Sequence, residues 1–212
     1  CDTFTIEGCD NIPTESNTIY KAYSALLKHS NSEELSNFFI KHKVVVTKRI
    51  PSQAGLGGGS SDAAAFMRLV NEVCNLQIDT EKLAKLGSTI GADLPFFIYN
   101  YSSANVSGFG EIVEPFEEVP LELELYTPNI GCNTTVVYKN FKKYLLQYIS
   151  LASFFGWERL DSRTILNIVP DPIALNDLYP AAMIAYPEIE ELDREGWFFS
   201  GSGSTFFRLK SN

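Results

Sequence analysis

The chain has 212 residues, 45% apolar and 20% charged, with Gly and Pro supplying 24 positions. That composition excludes collagen, linker-type disorder and low-complexity chains, and the length allows one large domain or two small ones. A net charge of −9 offers no basic footprint for nucleic acid, so no nucleic-acid partner is expected.

The charge is unevenly spread. Residues 1–110 carry 9 basic and 11 acidic side chains, and residues 111–212 carry 8 and 15, so an anion is better received by the first half. Cys1, Cys9, Cys74 and Cys132 form no CxxC pair, which reads as reduced thiols in a cytoplasmic protein. The longest uncharged, largely apolar stretch is Tyr144–Trp157, at 14 residues. This is short of the roughly 18 that span a bilayer, so a buried helix and no membrane partner are expected.

In chain order, residues 3–6 alternate like the tail of a strand. With no methionine at the start and no strand before it, something upstream is expected to be absent. Asn17 reads as the N-cap of a helix carrying Ile19, Ala22, Tyr23 and Leu26, and a shorter helix is expected over Ser32–Ile40. The β-branched run from Val44 predicts a strand to Ile50, ended by Pro51. Phe66, Leu69, Val70 and Val73 mark an amphipathic helix behind a glycine loop. Asp79 caps a helix with Leu83, Leu86 and Ile90, closed by Gly91.

Gly91 to Phe97 leads into an expected strand region, and Ser103–Val106 and Glu111–Val113 read as short strands. Glu114–Glu118 marks a composition shift, which divides the chain into domains 1–115 and 116–212. Leu121–Leu125 alternates like a half-exposed strand, and Val136–Tyr138 extends the sheet region. Helices are expected at Phe141–Phe155, Ser162–Ile168 and Pro180–Tyr186, then strands at Trp197–Phe199 and Phe206–Leu209.

Three stretches carry chemistry. Gly55-Leu56-Gly57-Gly58-Gly59-Ser60-Ser61 runs from a strand into a helix. Glycines let a ligand approach the backbone amides, and the helix aims its unpaired N–H groups and positive end at the same place, which suits a phosphate chain. Lys48 and Arg49 can add to that field. The GxxxxGK[ST] and GxGxxG loops are excluded, since no Lys follows the glycines and position 60 is Ser. A plain connecting loop is the competing reading.

Asp93, between Gly91 and Pro95, is either a turn residue or a carboxylate against apolar surroundings that accepts a proton from an attacking hydroxyl. Ser200-Gly201-Ser202-Gly203-Ser204 is either a hairpin turn or a second set of amides for the same ligand. His29 and His42 have no third ligand at metal spacing. Glu188, Glu190, Glu191 and Asp193 read as a solvated face.

Taken together and in this order, Pro51–Ala64, Gly91–Phe97 and Ser200–Ser204 resemble the GHMP kinase superfamily. The triple glycine before Ser60 and the Gly91–Phe97 segment resemble its 4-diphosphocytidyl-2-C-methyl-D-erythritol kinase branch, as do Asn105–Glu111 and Asn176-Asp177-Leu178. The resemblance implies an α+β, two-domain fold, with an N-terminal ATP-binding domain, a ferredoxin-like C-terminal domain and the site in the cleft between them. It implies a small-molecule kinase that phosphorylates a hydroxyl of that branch's substrate with ATP, in isoprenoid precursor synthesis.

In that scheme Pro51, Ser52, Gln53, Ala54, Gly55, Leu56, Gly57, Gly58, Gly59, Ser60 and Ser61, with Asn17, bind ATP. Asp93 is the catalytic aspartate. Tyr138 stacks on cytosine, and Thr134, Gly201 and Gly203 complete the substrate side. Mg²⁺ is expected with ATP; its protein ligand is unassigned, with Ser61 the first candidate.

Ser52-Gln53-Ala54 departs from the family's usual loop start. The family's first motif carries an active-site lysine, followed by a Tyr-His pair facing the cytosine, and no counterpart precedes Asn17. The expectation is a member lacking its first strands, with weak or absent activity in this chain. Another GHMP small-molecule kinase and a non-catalytic nucleotide-binding remnant stay open as alternatives. Oligomeric state is not legible.

Overall fold

A computed structural model describes residues 4–10, 12–30, 33–149, 154–169, 171–192 and 195–210. The expectations on Cys1, Thr3, Ser32, residues 150–153 and Asp193 lie outside them. The fold mixes helices with short strands, and by contacts the chain forms two units. The first holds residues 1–49 and 57–117; the second holds 50–56 and 118–212. The glycine loop is therefore shared between them.

In the first unit, β1 (Ile6–Glu7) is followed by α1 (Thr18–Ser30), α2 (Glu33–Lys41), β2 (Val44–Val45), α3 (Gly58–Val73) and α4 (Thr80–Ser88). Then come α5 (Leu94–Tyr99), β3 (Ala104–Ser107) and β4 (Ile112–Pro115). Strand β1 pairs parallel with β2, Ile6 opposite Val44. The strand expected to run to Ile50 thus makes a two-residue ladder. Beyond it the Val46 N–H still bonds to the Glu7 carbonyl, and at Gly8, φ 83°, a Cβ would run into the Val46 carbonyl.

Helices α1 and α3 bury one face each, Ile19, Ala22, Tyr23 and Leu26 on α1, and Ala63, Ala64, Met67 and Val70 on α3. The small alanines let the two helices approach closely. Phe4 stacks on Tyr23 at 4.1 Å between centroids and meets Phe39 edge-on at 4.8 Å. Asp79 caps α4, accepting from the Lys82 N–H at 2.9 Å, although α4 ends at Ser88, before Gly91.

The Leu94–Phe97 segment, which leads into the expected strand region of β3 and β4, is itself a helix. Pro95 occupies its first turn, where no donor is lost from the ladder, and Leu94, Pro95 and Ile98 are buried at helical spacing. Strands β3 and β4 form the expected hairpin, Ala104 opposite Pro115.

The second unit contains β5 (Leu123–Tyr126), α6 (Thr134–Asn140), α7 (Ser162–Ile168), α8 (Pro172–Leu175) and α9 (Leu178–Ala185). It closes with β6 (Phe198–Phe199) and β7 (Phe206–Leu209). Its sheet is antiparallel in the order β5-β7-β6. The core gathers Cys132, Val137, Tyr179, Ala182, Ile189, Phe199 and Phe206. Tyr179 stacks on Phe199 at 4.8 Å.

Val136–Tyr138 lies in α6, correcting the expected strand. Asn133 caps that helix through the Val136 N–H, and burial of Val137 in the core overrides β-propensity. The helix expected over Phe141–Phe155 becomes a wide turn at Phe141–Leu145 and a tight one at Leu146–Tyr148. Tyr144, Leu146 and Tyr148 are exposed, so this stretch is no buried helix.

Cys74 and Cys132 are buried and Cys9 is half-buried, all as free thiols. Burial, aided by Glu188, pushes the Cys132 thiol up to about 11, and burial with Glu34 raises Cys74. A raised value keeps a thiol protonated and unreactive near neutrality. At pH 8, iodoacetamide labelling read by peptide mass spectrometry should modify Cys9 and spare Cys74 and Cys132. Equal labelling of Cys9 and Cys132 would contradict this packing.

Candidate active site

In the first unit the N-termini of α1 and α3 lie together. Thr18 Oγ1 donates to the Gly59 carbonyl at 2.9 Å. Asn17, only 5% exposed, accepts the Ile19 N–H on Oδ1 at 2.9 Å. The expected N-cap is therefore present, beside the glycine loop.

Gly57 sits in the left-handed region at φ 64° and turns the chain into α3. A Cβ there would lie 2.7 Å from the Phe97 ring, so both conformation and space require glycine. The first ladder bond of α3 runs from the Ser61 N–H to the Gly57 carbonyl at 2.8 Å. The amides of Gly58, Gly59 and Ser60 precede it, at the positive end of a 16-residue helix. That is the geometry of an anion site.

Ser61 Oγ donates to the Gly58 carbonyl at 2.9 Å, which leaves its oxygen lone pairs as acceptors. Lys48, expected to strengthen the positive field, is instead paired with Asp62, Nζ to Oδ2 at 2.6 Å. Arg49 is exposed.

Asp93 precedes α5, whose Phe97 lies beneath Gly57. Its carboxylate is exposed rather than held against apolar surroundings. Leu94 and Pro95 turn into the core, and the residue before them faces outward. The side chain makes no cap hydrogen bond. Its backbone is helical, φ −83° and ψ −13°, whereas capping geometry needs an extended residue. The carboxylate is thus not spent on its own helix. The β3–β4 turn backs this segment, with Gly110 packed so that a Cβ would meet the Ala92 carbonyl at 2.3 Å. Glu111 accepts the Phe109 N–H at 2.6 Å within the turn.

Residues 51–56 are held by the second unit. Pro51, Ser52 and Gln53 are exposed, while Ala54 is buried. The Gln53 carbonyl accepts the Cys132 N–H at 3.0 Å, and the Ala54 carbonyl accepts the Thr205 N–H at 3.0 Å. Ser200 Oγ donates to the Gly55 carbonyl at 2.8 Å. A Cβ on Gly55 would lie 2.2 Å from the Ser200 carbonyl oxygen.

The Ser200–Ser204 turn is therefore a cradle for the start of the glycine loop. Its Gly203 N–H is committed to the Ser200 carbonyl at 2.9 Å. The Gly201 carbonyl accepts Asn176 Nδ2 at 2.8 Å, and Asn176 also donates to the Phe199 carbonyl at 2.9 Å. Thr134 and Ser202 hydroxyls share a hydrogen bond of 2.9 Å. Tyr138, on α6, is 53% exposed.

Sequence reasoning missed Thr18 and the pairing of Lys48 with Asp62, and it quoted Phe97 and Asn176 within motifs without giving either a role. Thr18 stands next to the recognised cap, which is a usable signal. The others act across long sequence separations and leave no local pattern.

Among the described residues no group of three or more His, Cys, Asp or Glu could hold a metal ion, and no helix is long and apolar enough to cross a membrane. A cavity of about 440 Å³ in the first unit is lined largely by apolar groups, among them Phe38, Val44, Phe66 and Leu69. Such walls suit a polyphosphate poorly.

Replacing Gly55 by Ala adds a backbone clash to the strain of a positive φ, whereas Gly156, at φ 88°, has nothing within 4 Å of its Cβ position. Gly156→Ala should cost about 1–3 kcal/mol from conformation alone. Gly55→Ala should cost clearly more in urea unfolding, and equal costs would contradict the close approach.

Residues 17–101 match the GHMP kinases N terminal domain. The chain is 64% identical over 209 residues to a Sulfurovum sp. protein named 4-diphosphocytidyl-2-C-methyl-D-erythritol kinase, covering 99% of this chain and 81% of that one. A protein of the same name from Sulfurimonas denitrificans is 42% identical over 212 residues, covering 99% and 79%. Among solved structures, a 4-(cytidine 5'-diphospho)-2C-methyl-D-erythritol kinase aligns with a TM-score of 0.65 at 26% identity. It covers 99% of this chain and 73% of its own.

Proposed function

The chain belongs to the 4-diphosphocytidyl-2-C-methyl-D-erythritol kinase family of GHMP kinases, and from that premise we propose that it moves the γ-phosphoryl of ATP to a hydroxyl of 4-diphosphocytidyl-2-C-methyl-D-erythritol. The observation that carries the site assignment is the start of α3. There, three amides ahead of the helix ladder lie beside buried Asn17.

Gly57 to Ser61 receive the ATP phosphates, with Pro51 to Leu56 forming the approach and Asn17 flanking the nucleotide. Ser61 Oγ is the protein oxygen that would hold a Mg²⁺ ion brought by the nucleotide; the ion would neutralise phosphate charge, with water as most of its remaining ligands. Asp93 accepts the proton of the substrate hydroxyl as its oxygen bonds to the γ-phosphorus and the bond to the β-bridging oxygen breaks, releasing ADP. In such transfers the protein chiefly positions groups and balances charge. A carboxylate free of its own helix cap suits the base role. Free thiols at Cys9, Cys74 and Cys132 support a cytoplasmic setting.

Asp93→Asn should leave ATP affinity within about twofold and lower kcat by more than tenfold, or about 1.4 kcal/mol. Gly58→Val should do the reverse to ATP affinity, because a side chain would stand where the phosphate meets the backbone. A loss of turnover below tenfold in Asp93→Asn would exclude the base role.

Tyr138 is assigned to the cytosine ring, by stacking. Tyr138→Ala should raise KM for the cytidine substrate severalfold with KM for ATP unchanged, and Tyr138→Phe should retain the wild-type value. An unchanged substrate KM in Tyr138→Ala would remove it from the site.

A further inference from the structure

We propose that the Lys48–Asp62 ion pair is a positioning clasp that sets ATP affinity by fixing where the glycine loop re-enters α3. This rests on reading that loop as the ATP phosphate site. Lys48 stands just before the loop and Asp62 one turn into α3, so the pair encloses the whole of it. The chain leaves the first unit after Arg49 and rejoins it at Gly57, while residues 50–56 belong by contact to the second. The two ends of this excursion are joined within the first unit at Nζ–Oδ2, 2.6 Å apart.

An exposed lysine rarely holds one geometry, since it gives up rotamer entropy for a screened attraction. Here the two side chains are only 24% and 31% exposed, which weakens that screening. The pair also has an electrostatic side. Asp62 lies close behind the amides of Gly58–Ser60, and an unpaired carboxylate there would repel a polyphosphate; Lys48 cancels it.

The mechanical and electrostatic contributions predict different results for Asp62→Asn. If only the field mattered, releasing Lys48 would strengthen ATP binding. A clasp requires that losing either partner weakens it.

The test is a calorimetric titration of the full chain with ATP and Mg²⁺. Lys48→Met and Asp62→Asn should each raise Kd about tenfold. Lys48→Arg, which keeps the charge, should stay within about threefold. The exchanged variant, Lys48→Asp with Asp62→Lys, should recover part of the loss. Should Lys48→Met fail to fold, the near-isosteric Asp62→Asn carries the test alone, with its thermal midpoint and far-UV spectrum compared with wild type. Wild-type binding with unchanged or tighter binding by folded Asp62→Asn overturns the clasp alone. A wild-type protein that binds no ATP overturns the reading of the loop and the clasp with it.

Discussion

The structure depends on close backbone approach along one loop. At Gly55 the chain runs against the Ser200 carbonyl, and at Gly57 it turns left-handed over the Phe97 ring. Neither position has room for a side chain. Within the first unit, Gly57 sets the direction in which α3 begins, and with it the direction of its first amides. The glycines are therefore first a packing requirement and second an opening for ligand. The two roles coincide because a loop without side chains can both pack against protein backbone and expose its own.

Different parts of the chain support the two ends of that loop. Thr18 bonds to the Gly59 carbonyl, and α1 packs on α3 through small and aliphatic residues. Thr205, Ser200 and Cys132 hold Gln53 to Gly55, and Asn176 holds the turn that does so. The serine-glycine turn thus acts mainly as a support for the loop. Several of its polar groups are used inside the second unit, as the buried Ser202, Ser204 and Thr205 indicate.

Much of this was legible in the sequence where the signal is local. Asn17 as a cap, Asp79 as a cap, the amphipathic face of α3 and the Gly108–Glu111 hairpin each need only neighbouring residues, and each is found. The errors arise where tertiary burial overrides local pattern. Val136–Tyr138 is β-branched and aromatic and suggests a strand, yet burial of Val137 makes it a helix. Leu123 and Leu125 alternate with glutamates as a half-buried strand should, yet both leucines are exposed. From β5 it is Tyr126, opposite Phe206, that packs against the core of the second unit. The site was legible as motifs, but its supports were not. Lys48 finds Asp62 fourteen residues away, and no periodicity announces such a pair.

The account is tested most directly by the amide resonances of Gly57 to Ser61 as ADP and Mg²⁺ are added to the isotopically labelled protein. It predicts large, saturable shifts at Gly58, Gly59 and Ser60, with much smaller ones at Gly108 and Gly156. Nucleotide binding that leaves the first amides of α3 unmoved would contradict it.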